Sequence, residues 1–205
     1  MKKLFFIPVA VPAVFLMTAF TGAALVELSI GSSLPKGDVK MLNVISNQET
    51  TLAQLKKENG LAVIFSCNTC PFVIKSEIII KEISKLSKES KVGYVLLNSN
   101  EAQREGEDSK DEMKIYARKQ GYDFPYLIDK NSEVADAFGA TRTPQVFLFD
   151  KDMKLVYKGA YTDDSNPANA TKFFFKDAIN SLKDGKEIPV SSSKSFGCTI
   201  KRVKK

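Results

Sequence analysis

The stretch Leu61-Ala62-Val63-Ile64-Phe65-Ser66-Cys67-Asn68-Thr69-Cys70-Pro71 decides how the chain is read. Its first six residues are an apolar run of strand length. Beyond Pro71, Ile79, Ile83 and Leu86 recur at helical spacing, so a helix from about Cys70 to Glu89 should pack back on that strand. The C-x-x-C pair therefore falls where a strand gives way to a helix. Unpaired backbone N–H groups at a helix start favour a thiolate. The pattern predicts Cys67 as the exposed member, its sulfur at the helix start, and Cys70 one turn in and more buried. Cys67 is then the attacking nucleophile and Cys70 the resolving thiol, the two sulfurs meeting across the first turn. Asn68 and Thr69 are uncharged, border the substrate groove and point to a moderate oxidant. A structural disulfide, half of a zinc site completed by Cys198 and carboxylates, and copper(I) held by thiolates alone are the alternatives.

Working outward, Val39 to Ile45 is strand-like, and Thr51 with Gln54 makes a capping box for a short helix stopped by Asn59-Gly60. Val92 to Leu97 reads as a buried central strand and Asn98 to Glu107 as a polar loop. Ser109 with Glu112 opens a helix that Gly121 stops. Tyr126 to Asp129 is a short strand, and Ser132 to Phe138 a helix ended by Gly139. Gln145 to Phe149 and Leu155 to Lys158 form a hairpin, and a last helix should open at Pro167 with Phe173-Phe174-Phe175 mostly in the core. This is an α/β pattern, a mixed central sheet with helices on both faces. The order of elements resembles a thioredoxin fold with an N-terminal extension and an insertion. In that fold a proline at a strand entrance faces the C-x-x-C. The residue before it offers its backbone to an extended substrate. The resemblance implies a cis Thr143–Pro144 peptide, with Thr143 and Pro144 shaping the groove; an ordinary trans proline at a strand edge is the alternative.

Composition narrows the chemistry. The 205 residues suit one ordinary domain. The net charge of +6 falls to +4 without Lys2 and Lys3, and no basic stripe interleaved with aromatics suggests nucleic-acid binding. There is no histidine, which removes Cys-His and Ser-His catalysis, His-ligated zinc and C-x-x-C-H haem attachment. Residues 1–24 have a positive start, an uncharged apolar run from Leu4 to Phe20, and small residues Thr21, Gly22, Ala23 and Ala24. They read as a signal peptide or, if uncut, a membrane anchor; either way the domain faces a periplasmic or otherwise exported compartment where disulfides persist. Contact with a membrane is expected only if that segment is uncleaved.

Asn98-Ser99-Asn100, Asp108-Ser109, Phe124-Pro125-Tyr126-Leu127 and the run Gly139 to Asp150 accompany Cys67 to Val73 and Gly197-Cys198-Thr199-Ile200-Lys201. Together they resemble the peroxiredoxin-like redoxins of the AhpC/TSA group in the thioredoxin superfamily, from about Ile30 to Lys201. The resemblance implies a thioredoxin fold and thiol redox chemistry. Two departures stand out. The residue before the second cysteine, often His in this group, is Thr69. Counting three back from either cysteine gives Ile64 or Cys67, where a peroxidatic site has a hydroxyl. Disulfide exchange therefore ranks ahead of peroxide reduction. Arg142, beside the proline loop, is a candidate partner for a thiolate or peroxide.

The organisation is then a leader over 1–24, a redoxin domain over 25–188, and a Ser-rich linker with a basic tail over 189–205. Cys198 in that tail is a resolving thiol, a former of intermolecular disulfides, or an inert buried thiol. The basic residues Lys201, Arg202, Lys204 and Lys205 read as a solvated terminus or a contact for an anionic membrane. The leading function is an exported thiol–disulfide oxidoreductase with no cofactor and no resident metal. Its partners are disulfide or thiol substrates and a redox partner. A thiol peroxidase and a non-catalytic, copper-holding module are the alternatives.

Overall fold

A computed structural model describes residues 25–203; the leader over 1–24 and the last two lysines lie outside the described residues. In chain order the elements are β1 (Met41–Asn43), β2 (Gln48–Thr50), α1 (Leu52–Leu55), β3 (Leu61–Ser66), α2 (Pro71–Lys75), α3 (Glu77–Glu89), β4 (Gly93–Asn98), α4 (Lys110–Gln120) and β5 (Tyr126–Ile128). They continue with α5 (Glu133–Phe138), β6 (Arg142–Thr143), β7 (Gln145–Phe149), β8 (Leu155–Gly159), α6 (Phe174–Lys183) and β9 (Cys198–Thr199). Seven strands form one mixed sheet in the order β2-β1-β5-β4-β3-β7-β8. β3, β4 and β5 run parallel, and β7 returns antiparallel beside β3.

Successive strand residues point to opposite faces, so each central strand must be apolar throughout if both faces are covered. On one face Ala62, Ile64, Leu96 and Val146 meet Ile80 and Ile83 of α3, Met113 of α4 and Ile179 of α6. On the other, Val63, Phe65, Val95 and Phe147 meet Leu52 of α1 and Val134 and Phe138 of α5. The predicted sheet with helices on both faces is thus present.

Four readings change. The first helix ends at Leu55, with Lys56 already extended, before the expected stop at Asn59-Gly60. The long helix is broken at Ser76 (φ −88°, ψ 0°), between α2 and α3. Its hydroxyl donates to the Phe72 carbonyl at 2.8 Å, a back-bond that bends a helix. The last helix opens at Phe174, because Pro167–Asn169 closes as a separate 3-10 turn and Asp163 holds the backbone N–H groups of Thr171 and Lys172. The Ser-rich linker is docked: Ser192 bridges Lys158, and the Ser193 hydroxyl accepts from the Ala160 N–H at 3.0 Å.

Candidate active site

β3 delivers its last residue, Ser66, to the edge of the sheet, and the chain turns through Cys67, Asn68 and Thr69 before α2. Cys70, not Cys67, is the N-cap of α2, with Pro71 at the first helical position. Pro there costs no hydrogen bond, since that N–H has no helical partner. The predicted contrast in exposure is absent as well: Cys67 is 2% exposed and Cys70 4%. Cys67 faces inward, its sulfur against the Thr143 hydroxyl.

The Thr143–Pro144 peptide is cis, between β6 and β7. Thr143 touches both thiols. Its hydroxyl lies 3.3 Å from Cys67 Sγ, and its carbonyl accepts from Cys70 Sγ at 3.1 Å. Pro144 follows directly and leads into Gln145, whose side-chain oxygen accepts from the N–H groups of Thr141 and Arg142 and so fixes the loop. All three cysteines are unbridged thiols.

The electrostatics separate the pair. Cys70 is held below the ordinary thiol range, first by the Cys67 thiol donating to it, then by the Cys198 thiol and the backbone N–H groups of Val73 and Cys198, against the pull of burial. Cys67 is pushed up, by its hydrogen bond to Cys70 first, then by burial and the Asp108 charge, with the Thr143 hydroxyl opposing. Removing one proton from the pair therefore favours charge on Cys70 and leaves the proton on Cys67, while in the dithiol Cys70 donates to the Thr143 carbonyl.

The other predicted site residues are spread more widely. Asn68 is mostly buried and, with Thr69, lines an open cleft. Its N–H donates to Asp108, its amide donates to the Glu107 carbonyl, and its oxygen accepts from the Tyr126 hydroxyl. Thr69 is exposed, donates to Glu107 at 3.2 Å, and borders an open cleft shared with Glu105, Tyr116 and Lys119. Arg142 is exposed and donates to the Gly197 carbonyl of the tail at 3.2 Å. Cys198 arrives opposite Thr143, because β9 pairs antiparallel with β6.

The reading of Asn98 to Glu107 as a polar loop passed over the residues that hold the turn. Asp108 is fully buried and accepts from the Asn68 N–H (3.0 Å), the Asn98 amide (2.6 Å) and the Asn100 amide (2.8 Å). Arg104 reinforces it by donating to the Asp108 and Asn98 carbonyls. The available signal was a run of Asn, Ser and Asp immediately after a buried strand, where polar side chains are buried only if paired. Among the described residues, no group of three His, Cys, Asp or Glu is arranged to hold a metal ion. Nor is any helix there long and apolar enough to cross a membrane.

Fold and turn together define a thioredoxin-like protein with thiols at its strand-to-helix junction. The chain belongs to the Redoxin family, whose pattern matches residues 30–173. Among solved structures it is similar to an uncharacterized conserved protein from Geobacillus kaustophilus: 34% identity, 84% of this chain and 92% of that one covered, TM-score 0.77. It is also similar to a hypothetical protein from Sinorhizobium meliloti 1021, at 28% identity, with 86% and 96% covered and a TM-score of 0.78. The peroxidoxin BcpB of Mycobacterium tuberculosis shares the fold at 15% identity, with 78% and 94% covered and a TM-score of 0.54. No curated protein matches the sequence. The expected likeness to AhpC/TSA redoxins therefore holds, and so does the general class of thiol redox protein.

Proposed function

We propose that this chain is an exported thiol–disulfide oxidoreductase working through Cys67 and Cys70. The observation that carries the reading is Cys70 Sγ at the start of α2, beside Cys67 and the cis Thr143–Pro144 peptide. This reading exchanges the two roles expected from spacing. Cys70, whose charge is favoured by several donors, is the attacking thiolate; Cys67, which keeps its proton, is the resolving thiol. Cys70 attacks one sulfur of a substrate disulfide, a Cys70–substrate bond forms, and the other substrate sulfur leaves as a thiolate. Cys67 then gives up its proton to that leaving group and attacks Cys70 Sγ. The Cys67–Cys70 bond forms, the second substrate thiolate leaves, and the substrate has gained two electrons. A redox partner of the dithiol class restores or withdraws them. No organic cofactor enters.

The test is reduction of a protein disulfide such as that of insulin by the full chain. Activity should vanish in Cys70→Ser, and the double variant Cys67→Ser/Cys198→Ser should stall as a mixed disulfide on Cys70. Alkylation of Cys70 should stay fast at pH values below the ordinary thiol range. A mixed disulfide trapped on Cys67 in Cys70→Ser would restore the roles read from spacing. Peroxide consumption in place of disulfide reduction would replace the proposal with the thiol-peroxidase alternative. Export rests on the leader pattern of residues 1–24. The N-terminal sequence of protein recovered from a bacterial periplasm, or its absence there, decides it.

A further inference from the structure

We propose that Cys198 is a third redox thiol of this site, carried on a tail that sits in the place of a substrate strand and takes over the disulfide formed at Cys70. The inference rests on the dithiol reading above. Its first support is the strand pairing. An extended peptide entering a fold of this kind adds its backbone to the edge beside the cis-proline. Here that edge is already filled by the chain's own β9, with Cys198 opposite Thr143 and Thr199 opposite Arg142. The tail therefore presents a cysteine to the site as a substrate would.

The second support is proximity. Cys198 packs against the cluster that contains Cys67 and Cys70, and its thiol and backbone N–H favour the charged form of Cys70. Cys198 is half-buried, while Cys67 and Cys70 are almost fully covered.

The third support is how firmly the tail is seated. Gly197 has φ +155°, and a Cβ there would lie 2.3 Å from the Thr143 carbonyl oxygen, so only glycine lets the backbones approach this closely. Ile200 is buried against the α5 side of the sheet, and its N–H donates to the Thr141 carbonyl at 3.1 Å. Arg202 pairs with Asp136 at 2.7 Å and donates to the Ala140 carbonyl. Asn100 joins the two systems: its oxygen accepts from the Lys201 N–H at 2.8 Å and its amide donates to Asp108, the residue that holds the Cys67 turn. The tail is thus built into the same network as the active-site turn, not a solvated terminus.

The exchange balances without any further oxidant. Starting from the Cys67–Cys70 disulfide, the Cys198 thiol loses its proton and its sulfur attacks Cys70 Sγ. The Cys70–Cys198 bond forms, the Cys67–Cys70 bond breaks, and Cys67 leaves as a thiolate that takes up the proton. The disulfide has moved from a buried position to a half-buried one, where a redox partner can reach it. The charges order the events. Burial first, and then a Cys70 thiolate next door, keep Cys198 protonated; once Cys70 is in a disulfide its charge is gone and burial alone remains, with Lys201 opposing it.

The experiment uses the full chain carrying Cys67→Ser, with Cys67→Ala as a second carrier of the same deletion. Each is reduced and treated with one equivalent of a chromogenic aromatic disulfide, dithionitrobenzoate. The proposal expects two coloured thiolates per reagent, a monomer, and a Cys70–Cys198 peptide by mass spectrometry; adding Cys198→Ser halves the release and leaves a stable adduct. One thiolate per reagent with a persistent adduct on Cys70, or a disulfide-linked dimer, overturns it. The single variant Cys198→Ser separates the two readings. Two thiolates there, with one in Cys67→Ser, remove only the tail's role; one thiolate there removes the Cys67–Cys70 dithiol itself.

Discussion

The parallel strands β3 and β4 run side by side from Leu61 opposite Gly93 to Ser66 opposite Asn98, and their two ends are buried by different physics. In the middle, Ala62, Ile64, Val95 and Leu96 are fully buried and packed by shape. Beyond Ser66 and Asn98 the chain stays buried but turns polar: Asn68, Ser99, Asn100, Asp108, Asp129, Ser132 and Thr143 are all inside. Apolar burial is non-directional, so the first region fixes that the layers pack but tolerates exchange of similar volumes. Hydrogen bonds are directional and costly to leave unmade, so the second region fixes where individual atoms lie. The cysteines stand at the end of the directional region. Their geometry is set by Asp108 and Thr143 together with the start of the helix that follows.

The largest expected effect breaks the comparison at its most sensitive atom. Cys70→Ser should take disulfide reduction to the uncatalysed background with no change in fold, because a serine hydroxyl does not ionise near neutrality. Next comes a matched pair of substitutions. Leu96→Ala, in the apolar region, should cost about 2–5 kcal/mol in urea unfolding while the folded fraction keeps its specific activity. Asp108→Asn should cost about 1–3 kcal/mol, since an amide cannot accept all three bonds the carboxylate takes. Its folded fraction should also change in the pH profile of Cys alkylation, because the turn carrying Cys67 is released and a negative charge near that thiol is gone. If both variants lost stability alone, the distinction between the two regions would not hold.

That division also decides how much could be read from residues. β3 and β7 occur at their predicted bounds, since an apolar run ended by a polar or proline boundary is a local signal. The Thr51–Gln54 capping box and the stop at Gly121, with φ +71°, are equally local. The cis Thr143–Pro144 peptide followed from the fold resemblance. What failed depends on partners distant in sequence. Cys67 faces inward against Thr143, 76 residues away in the chain, and the Asn68 turn is held by Asp108, 40 residues on. Polar residues at 98–108 looked solvated because composition does not show that they satisfy one another. The tail looked free because a two-residue strand paired only with β6 has no periodicity to detect.

A smaller effect sharpens the picture on the α3 side. Glu77 is buried and accepts from the hydroxyls of Tyr116 and Tyr122, both at 2.7 Å. Burial raises its pKa, with the two tyrosines and Lys81 opposing. The folded state therefore holds this proton more tightly than the unfolded chain. Stability from this group is fully present below the ordinary carboxyl range and is lost as pH rises through the raised value. Asp129, also raised by burial, contributes a slope of the same sign. In Glu77→Gln the urea midpoint should fall less over that window than in the wild type, leaving the Asp129 slope. A wild-type midpoint that rises with pH there would show that the partners of Glu77 outweigh its burial.

The smallest effect tests whether the hydroxyl of Thr143 serves one sulfur or both. Thr143→Val keeps the branched shape, the β6–β9 pairing and the carbonyl that accepts from Cys70, and removes only the oxygen beside Cys67. That hydroxyl favours ionisation of Cys67, the thiol that must lose a proton before resolving the mixed disulfide. One neutral hydrogen bond is worth about 1 kcal/mol, or about fivefold in rate. In single-turnover kinetics the attack phase should be unchanged, and the resolving phase slower by about that factor. The measurement is sensitive to assignment, because the two phases report on different sulfurs. A slower attack phase would mean that the hydroxyl supports Cys70. Thr143 would then be shared by both thiols, and the division of charge between them would belong to the helix start alone.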